Sequence, residues 1–245
     1  MTMLSSLRNR AGAAAFAVGA LAPINKVKDA PVRVTSADVA WSNEKIAQAY
    51  GALIDMWTKD FNQIGERFVA PRIVRYEGSA RTECGVIRPN NAQYCSAANK
   101  IYYDEVFVAG MAKVAANQLH TDGDMTGIGI IAHETGHAVA MQLGHRSRDS
   151  YDNESTADCL AGAFAYQAKR DKTLEDGDME EALLGMEMAG DPEPQATGND
   201  HYDAMVARRI AQQSHGTKEQ RVQNFQDGFR GGPAACLDEF RSLRS

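Results

Sequence analysis

Five consecutive residues, His133-Glu134-Thr135-Gly136-His137, carry the most specific chemical pattern in the chain. On a helix, two histidines four positions apart share one face and lie about 6 Å apart along the axis. Two imidazoles so placed converge on one metal ion. Glu134, next to His133 but turned around the helix, stands near such an ion without ligating it and can take a proton from water there. The pattern arises by chance in roughly one shuffled sequence in a hundred. Two solvated histidines on an exposed helix would also produce it, so its surroundings must decide.

Those surroundings favour a metal. Zinc held by two histidines takes a third protein ligand, usually from another element, and keeps a fourth position for water. Glu154, in Asp152-Asn153-Glu154-Ser155-Thr156-Ala157-Asp158-Cys159, supplies it if the short connection 145–151 lets two helices pack antiparallel. Asp158 follows four residues later on the same helix face. There it can accept a hydrogen bond from a ligand imidazole, the usual device for fixing the ring's tautomer. The run Cys-Leu-Ala-Gly-Ala-Phe-Ala after Asp158 is apolar, a costly setting for an unpaired carboxylate. An acid at a helix start plus a solvated Asp is the bland alternative for this pair. His120, His145 and His201 have no convergent partners in sequence and are read as surface residues.

The elements that must position these groups are mostly helical. Ile46, Tyr50, Leu53, Trp57, Phe61 and Ile64 recur at steps of three and four, predicting a core-packing helix over about 42–65. Further helices are expected near 105–119, 125–143, 151–170, 178–190, 201–213 and 217–230. The acidic stretch Glu175, Asp176, Asp178, Glu180 and Glu181 suits a helix N-terminus. Short β-branched runs within 72–88 suggest a hairpin region, and Lys100–Asp104 is another strand candidate. The fold class is α+β, mainly α, as one domain over 42–245 after a linker at 23–41.

At 245 residues, with 44% hydrophobic and 24% charged, the chain is long enough to bury a real core and is not of disordered composition. A net charge of −6 with no basic stripe gives no footprint for nucleic acid. Arg8 and Arg10 precede the uncharged run Ala11–Ala22, which has the features of a signal peptide or N-terminal anchor over 1–22. The four cysteines fit two disulfides or one metal cluster, but Cys84, Cys95, Cys159 and Cys236 lack the paired short spacings of a four-cysteine metal site.

The HETGH motif, the segment Glu154–Cys159, LEDGDMEEAL from Leu174 to Leu183, and HGTKEQR from His215 to Arg221 together resemble the putative neutral zinc metallopeptidase family of bacteria. Cys84-Gly85, Tyr94-Cys95 and Ile101–Asp104 extend the resemblance, in order, over about 80–242. It implies a zincin-like domain with an active-site helix and one Zn2+ per chain, held by His133, His137 and Glu154, with Glu134 as catalytic base. It also implies peptide or protein substrates, the disulfides Cys84–Cys95 and Cys159–Cys236, and an exported protein, secreted or attached to the envelope through its N-terminus. Ala138 stands where the family often has a second histidine, and Ser96 where it has a proline.

On that footing His215 is the candidate donor to the oxyanion, against the alternative of a histidine packing locally at a helix start. Tyr102 and Tyr103 are placed on a strand edging the cleft, where an extended substrate adds by backbone hydrogen bonds. The competing readings are a catalytically idle zinc-binding envelope or interaction protein on the same scaffold, and a helical envelope protein without metal.

Overall fold

In a computed structural model, which describes residues 32–191, 197–213 and 215–243, the first helix α1 spans Ser36–Gln63. It starts ahead of the expected Ser42 because Thr35 and Asp38 form a capping box. The Thr35 hydroxyl accepts from the Asp38 N–H at 3.3 Å, and the Asp38 carboxylate accepts from the Thr35 N–H at 2.7 Å. Residues 36–41 are therefore helix and not linker, while the expected leader 1–22 and residues 23–31 lie outside the described residues. The predicted stripe does face inward: Ile46, Leu53, Trp57 and Phe61 are buried, and Phe240 stacks against both Trp57 and Phe61.

The sheet is built differently from the expected hairpin. Strands β1 (Arg72–Tyr76), β2 (Ala80–Thr82), β3 (Gly85–Ile87), β4 (Ala92–Cys95) and β5 (Lys100–Asp104) follow α1. β2 and β3 form one hairpin, and β4 and β5, joined by the turn 96–99, form another; β1 pairs in parallel with β5, giving the order β1-β5-β4. Tyr102 and Tyr103 thus lie on a central strand. Tyr103 faces the main core and donates to Asn43 Oδ1, whereas Tyr102 faces a smaller cluster with Tyr76, Ile87 and Cys95 and donates to Glu83. The edges are β1 and β4, and β4 is tied at Cys95 to Cys84 by a disulfide.

Six more α-helices follow among the described residues: α2 (Glu105–Leu119), α3 (Asp124–Gln142), α4 (Ser150–Asp171), α5 (Asp178–Ala189), α6 (Asp200–Gln213) and α7 (Lys218–Gly231). Each has a physical starter or stop. Asp104 caps α2 by accepting from the N–H groups of Val106 and Phe107, and Thr217 opens α7 with a second capping box. Glu181, fully buried on α5, reaches across to α3 and accepts from the Gly123 and Met125 N–H groups at 2.9 Å each. The acidic stretch therefore serves two helix starts, its own and that of α3.

Glycines set the helix crossings that matter most. A β-carbon at Gly162 on α4 would stand 1.9 Å from the Phe225 carbonyl oxygen, and one at Gly228 on α7 would stand 1.8 Å from that of Cys159. Backbone thus rides on backbone where α4 meets α7. The Cys159–Cys236 disulfide then ties α4 to the segment after α7. Among the described residues no helix is long and apolar enough to cross a membrane.

Candidate metal centre

Residues 133–137 lie on α3, and both histidines point to the same side, their ring centroids 4.7 Å apart and edge-on. Glu154 comes from the first turns of α4. Its Oε2 lies 3.1 Å from His133 Nε2 and its Oε1 lies 3.5 Å from His137 Nε2. Gly136 allows this approach: a β-carbon there would stand 2.8 Å from the Ala157 carbonyl oxygen and 3.0 Å from Ala157 Cα. The motif thus carries its own packing device beside its ligands.

The donor set fits zinc. One ligand atom from each of His133, His137 and Glu154 falls within 4.8 Å of the others. Tetrahedral zinc with bonds near 2.0–2.1 Å separates neighbouring ligand atoms by about 3.3 Å, close to the 3.1 Å between His133 Nε2 and Glu154 Oε2. Two imidazole nitrogens and one carboxylate oxygen leave a position open, as a catalytic zinc requires. Burial opposes charge on His133, but the Asp158 and Glu154 carboxylates prevail and hold its imidazole up to about 10. Burial likewise works against the Glu154 carboxylate, yet hydrogen bonds from His133 and His137 keep it well below the usual range.

Behind His133 lies a buried ionic cluster. Asp158, with no exposed surface, places Oδ1 2.8 Å from His133 Nδ1, which leaves His133 Nε2 facing Glu154. That is the contact expected of Asp158. Its second partner, to which no local sequence pattern points, is Arg221 on α7, whose Nη2 and Nε donate to Oδ1 and Oδ2 of Asp158 at 2.6 and 3.0 Å. Arg221 also lies 3.3 Å from His133 Nδ1 and donates to the Ala189 carbonyl at 3.1 Å. The sequence holds one clue: a carboxylate in an apolar run calls for a cation beside it. Arg221 closes the same HGTKEQR segment that begins with His215.

A cleft of about 920 Å3 opens onto these groups. Glu134 is buried at its wall, and its Oε2 accepts from the Tyr94 N–H of β4 at 2.6 Å. The cleft edge is therefore β4, with Asn91, Ala92, Gln93 and Tyr94 lining it, and not the strand of Tyr102 and Tyr103. His215 lines the same cleft from a 60%-exposed position, with Nδ1 3.5 Å from Asp191 Oδ1 and its backbone N–H bonded to Asp191 Oδ2. His145 is exposed, as expected of a surface residue, and there pairs with Glu239 at 2.8 Å, joining the end of α3 to the C-terminal segment. His120 and His201 are exposed. Both disulfides form as the resemblance implies, and such bonds are typical of proteins that mature in oxidising compartments.

Comparison with known proteins gives a family for the chain. A family model described as putative neutral zinc metallopeptidase matches residues 28–240. The uncharacterized protein YpfJ of Escherichia coli strain K12 is 33% identical over 201 residues, covering 74% of this chain and 66% of the relative. YpfJ of Escherichia coli O6:H1 matches with the same figures. The chain thus spans just under two thirds of the length of these curated relatives. No solved structure matches.

Proposed function

The chain belongs to the putative neutral zinc metallopeptidase family, and from that premise we propose that it is a zinc-dependent peptidase, an exported endopeptidase cutting peptide or protein substrates. The observation that carries this reading is the meeting of His133, His137 and Glu154 at 3.1–3.5 Å on the wall of an open cleft, with Glu134 beside them. A purely structural zinc site has no use for such a carboxylate or for an open face.

Zinc, when bound by these three residues, supplies a Lewis acid that brings its water's pKa near 7 and polarises a carbonyl. The chain's own residues do the rest. Glu134 takes the proton of the attacking water and hands it to the leaving amine. Its bond to the Tyr94 N–H places the carboxylate between α3 and the edge strand, where the substrate lies. Asp158 and Arg221 keep His133 turned with Nε2 toward the cleft. His215, steadied by Asp191, donates to the carbonyl oxygen as negative charge grows there, a contribution of a few kcal/mol in comparable sites.

The substrate backbone adds to β4. Asn91 O accepts from Asp104 N on the β5 side, so by alternation Ala92 and Tyr94 turn their backbone groups outward; the Tyr94 N–H is taken by Glu134, which leaves the Ala92 groups and the Tyr94 carbonyl toward the cleft. An extended peptide can pair with that edge.

The test is paired. Purified protein should carry one zinc per chain, lost in His133→Ala. It should also cleave unfolded proteins and peptide mixtures that Glu134→Gln leaves intact. Equal turnover by wild type and Glu134→Gln, or none from either over broad conditions, rejects the peptidase and leaves a zinc-binding protein on the same scaffold.

A further inference from the structure

The two halves of the cleft differ in chemistry. Beyond His137, toward the end of α3, it is lined by His145, Arg146, Ser147, Asp152 and Asn153. In the other direction its walls come from three helices that contribute Phe107 and Met111 (α2), Ile130 (α3), and Met186 and Met188 (α5). Phe107 and Met111 are four apart on one face of α2, and Ile130 lies one turn before Glu134 on α3. Met186 is placed by small residues. Its Cε lies 3.9 Å from where a β-carbon on Gly129 would stand, and Gly129 is one turn before His133.

From α2, α5 and the part of α3 preceding His133 no charged side chain lines this half among the described residues, and Arg221 of α7, which lines the cleft beside Ala189 of α5, is already engaged by Asp158. Its polar side chain, Thr126, is already used, donating to the Glu181 carbonyl at 3.1 Å. A charged substrate group entering here would lose its water and find no partner, whereas an apolar one would bury itself against carbon and sulfur. Three of the five wall residues named are methionines, whose unbranched thioethers adjust to differently shaped neighbours.

We propose that this wall is a side-chain pocket that selects a large apolar residue beside the scissile bond and accepts leucine, methionine and phenylalanine alike. The inference rests on the peptidase reading for its meaning and deepens it by naming a substrate class. Peptides with Asp, Glu, Lys or Gly at that position are excluded by desolvation or by lack of contact.

The probe is a series of blocked pentapeptides, acetyl-Ala-Ala-X-Ala-Ala-amide, with X as Leu, Met, Phe, Asp, Lys or Gly. Affinity is measured by calorimetry on zinc-loaded Glu134→Gln protein, and turnover on wild type. Leu, Met and Phe should agree within about threefold and exceed Asp, Lys and Gly by at least about tenfold. Met111→Lys and Met188→Lys, each with zinc stoichiometry intact, should lower the Leu-to-Asp ratio by about tenfold or more. A flat series on the Glu134→Gln protein overturns the pocket, as does a ratio unmoved in both lysine variants. A wild type that cleaves none of the series, while the Glu134→Gln protein still ranks it, rejects the peptidase reading and leaves the pocket standing.

Discussion

Replacing Gly136 by alanine adds one methyl group inside the motif without touching a ligand atom, and its effect can be worked from the helix crossing. The new β-carbon would stand 2.8 Å from the Ala157 carbonyl oxygen, 3.0 Å from Ala157 Cα and 3.2 Å from Leu160 Cβ. The first two are backbone atoms in the middle of α4 and cannot rotate away. Restoring ordinary contact near 3.4–3.5 Å takes about 0.6 Å of separation between α3 and α4. The same displacement carries Glu154 away from His133 and His137, now 3.1 and 3.5 Å from its oxygens. Metal sites tolerate about 0.2 Å in their bonds, so zinc affinity should fall about 10- to 100-fold. Stability has two opposed parts: alanine gains up to about 1 kcal/mol in a helix over glycine, while overpacking costs about 1–3 kcal/mol. Gly51 calibrates the gain, being exposed in α1 with nothing within 4 Å of its would-be β-carbon. Urea unfolding should show Gly51→Ala more stable than wild type by about 0.5–1 kcal/mol and Gly136→Ala no more stable than wild type. Zinc is titrated against a chelator in parallel. A Gly136→Ala protein as stabilised as Gly51→Ala, binding zinc as tightly as wild type, would refute the argument that this glycine sets the α3–α4 distance.

Three further outcomes follow from the buried charges and cross-links. Arg221→Met leaves the fully buried Asp158 without its cation, and should cost about 3–5 kcal/mol in urea unfolding. Arg221→Lys should recover only part, because an ammonium cannot reproduce the two-atom fork; a Met variant within about 1 kcal/mol of wild type contradicts the assignment. Chain entropy assigns about 4.5 kcal/mol to Cys159–Cys236, which spans 77 residues, and about 2.8 kcal/mol to Cys84–Cys95, which spans 11. The double serine variant of the first pair should therefore melt lower than that of the second, and the reverse order would show that local strain decides. Burial and the nearby Asp124, Glu181 and Asp122 push the Asp178 carboxyl from 3.8 up to about 6. A folded pKa above the unfolded one gives stability that is complete below about pH 4 and lost as pH rises through about 6. Asp178→Asn should thus match wild type at pH 4 and exceed it at pH 8, by no more than about 3 kcal/mol; equal unfolding midpoints at both pH values would refute this.

Much of the fold is legible because helices advertise themselves locally. The stripe Ile46–Phe61 and the spacing of His133 and His137 are periodic within a few turns, and the structure buries or aligns them accordingly. The early start of α1 was readable too, since Thr35-Ser-Ala-Asp38 is a capping signature in plain sequence. The sheet was harder for a physical reason. Ala-Gln-Tyr-Cys in β4 is four residues, too short for its alternation to stand out in sequence, and its existence as the cleft edge depends on β5 beside it. The Ile101–Asp104 run is buried at every position, the pattern of a central strand, and that was the sign against placing Tyr102 and Tyr103 at an edge.

The site divides along the same line between local and distant. Glu154 and Asp158 could be found from their spacing to one another and from the apolar run after Asp158, because one helix carries both. Arg221 lies 63 residues from Asp158, and no local pattern joins them. What joins them is the α4–α7 crossing, where Gly162 and Gly228 let backbone meet backbone and bring the guanidinium to the carboxylate. A buried carboxylate beside a histidine is thus a reason to search a sequence for a cation, and a pair of glycines at a helix crossing is the physical reason that cation can come from so far away.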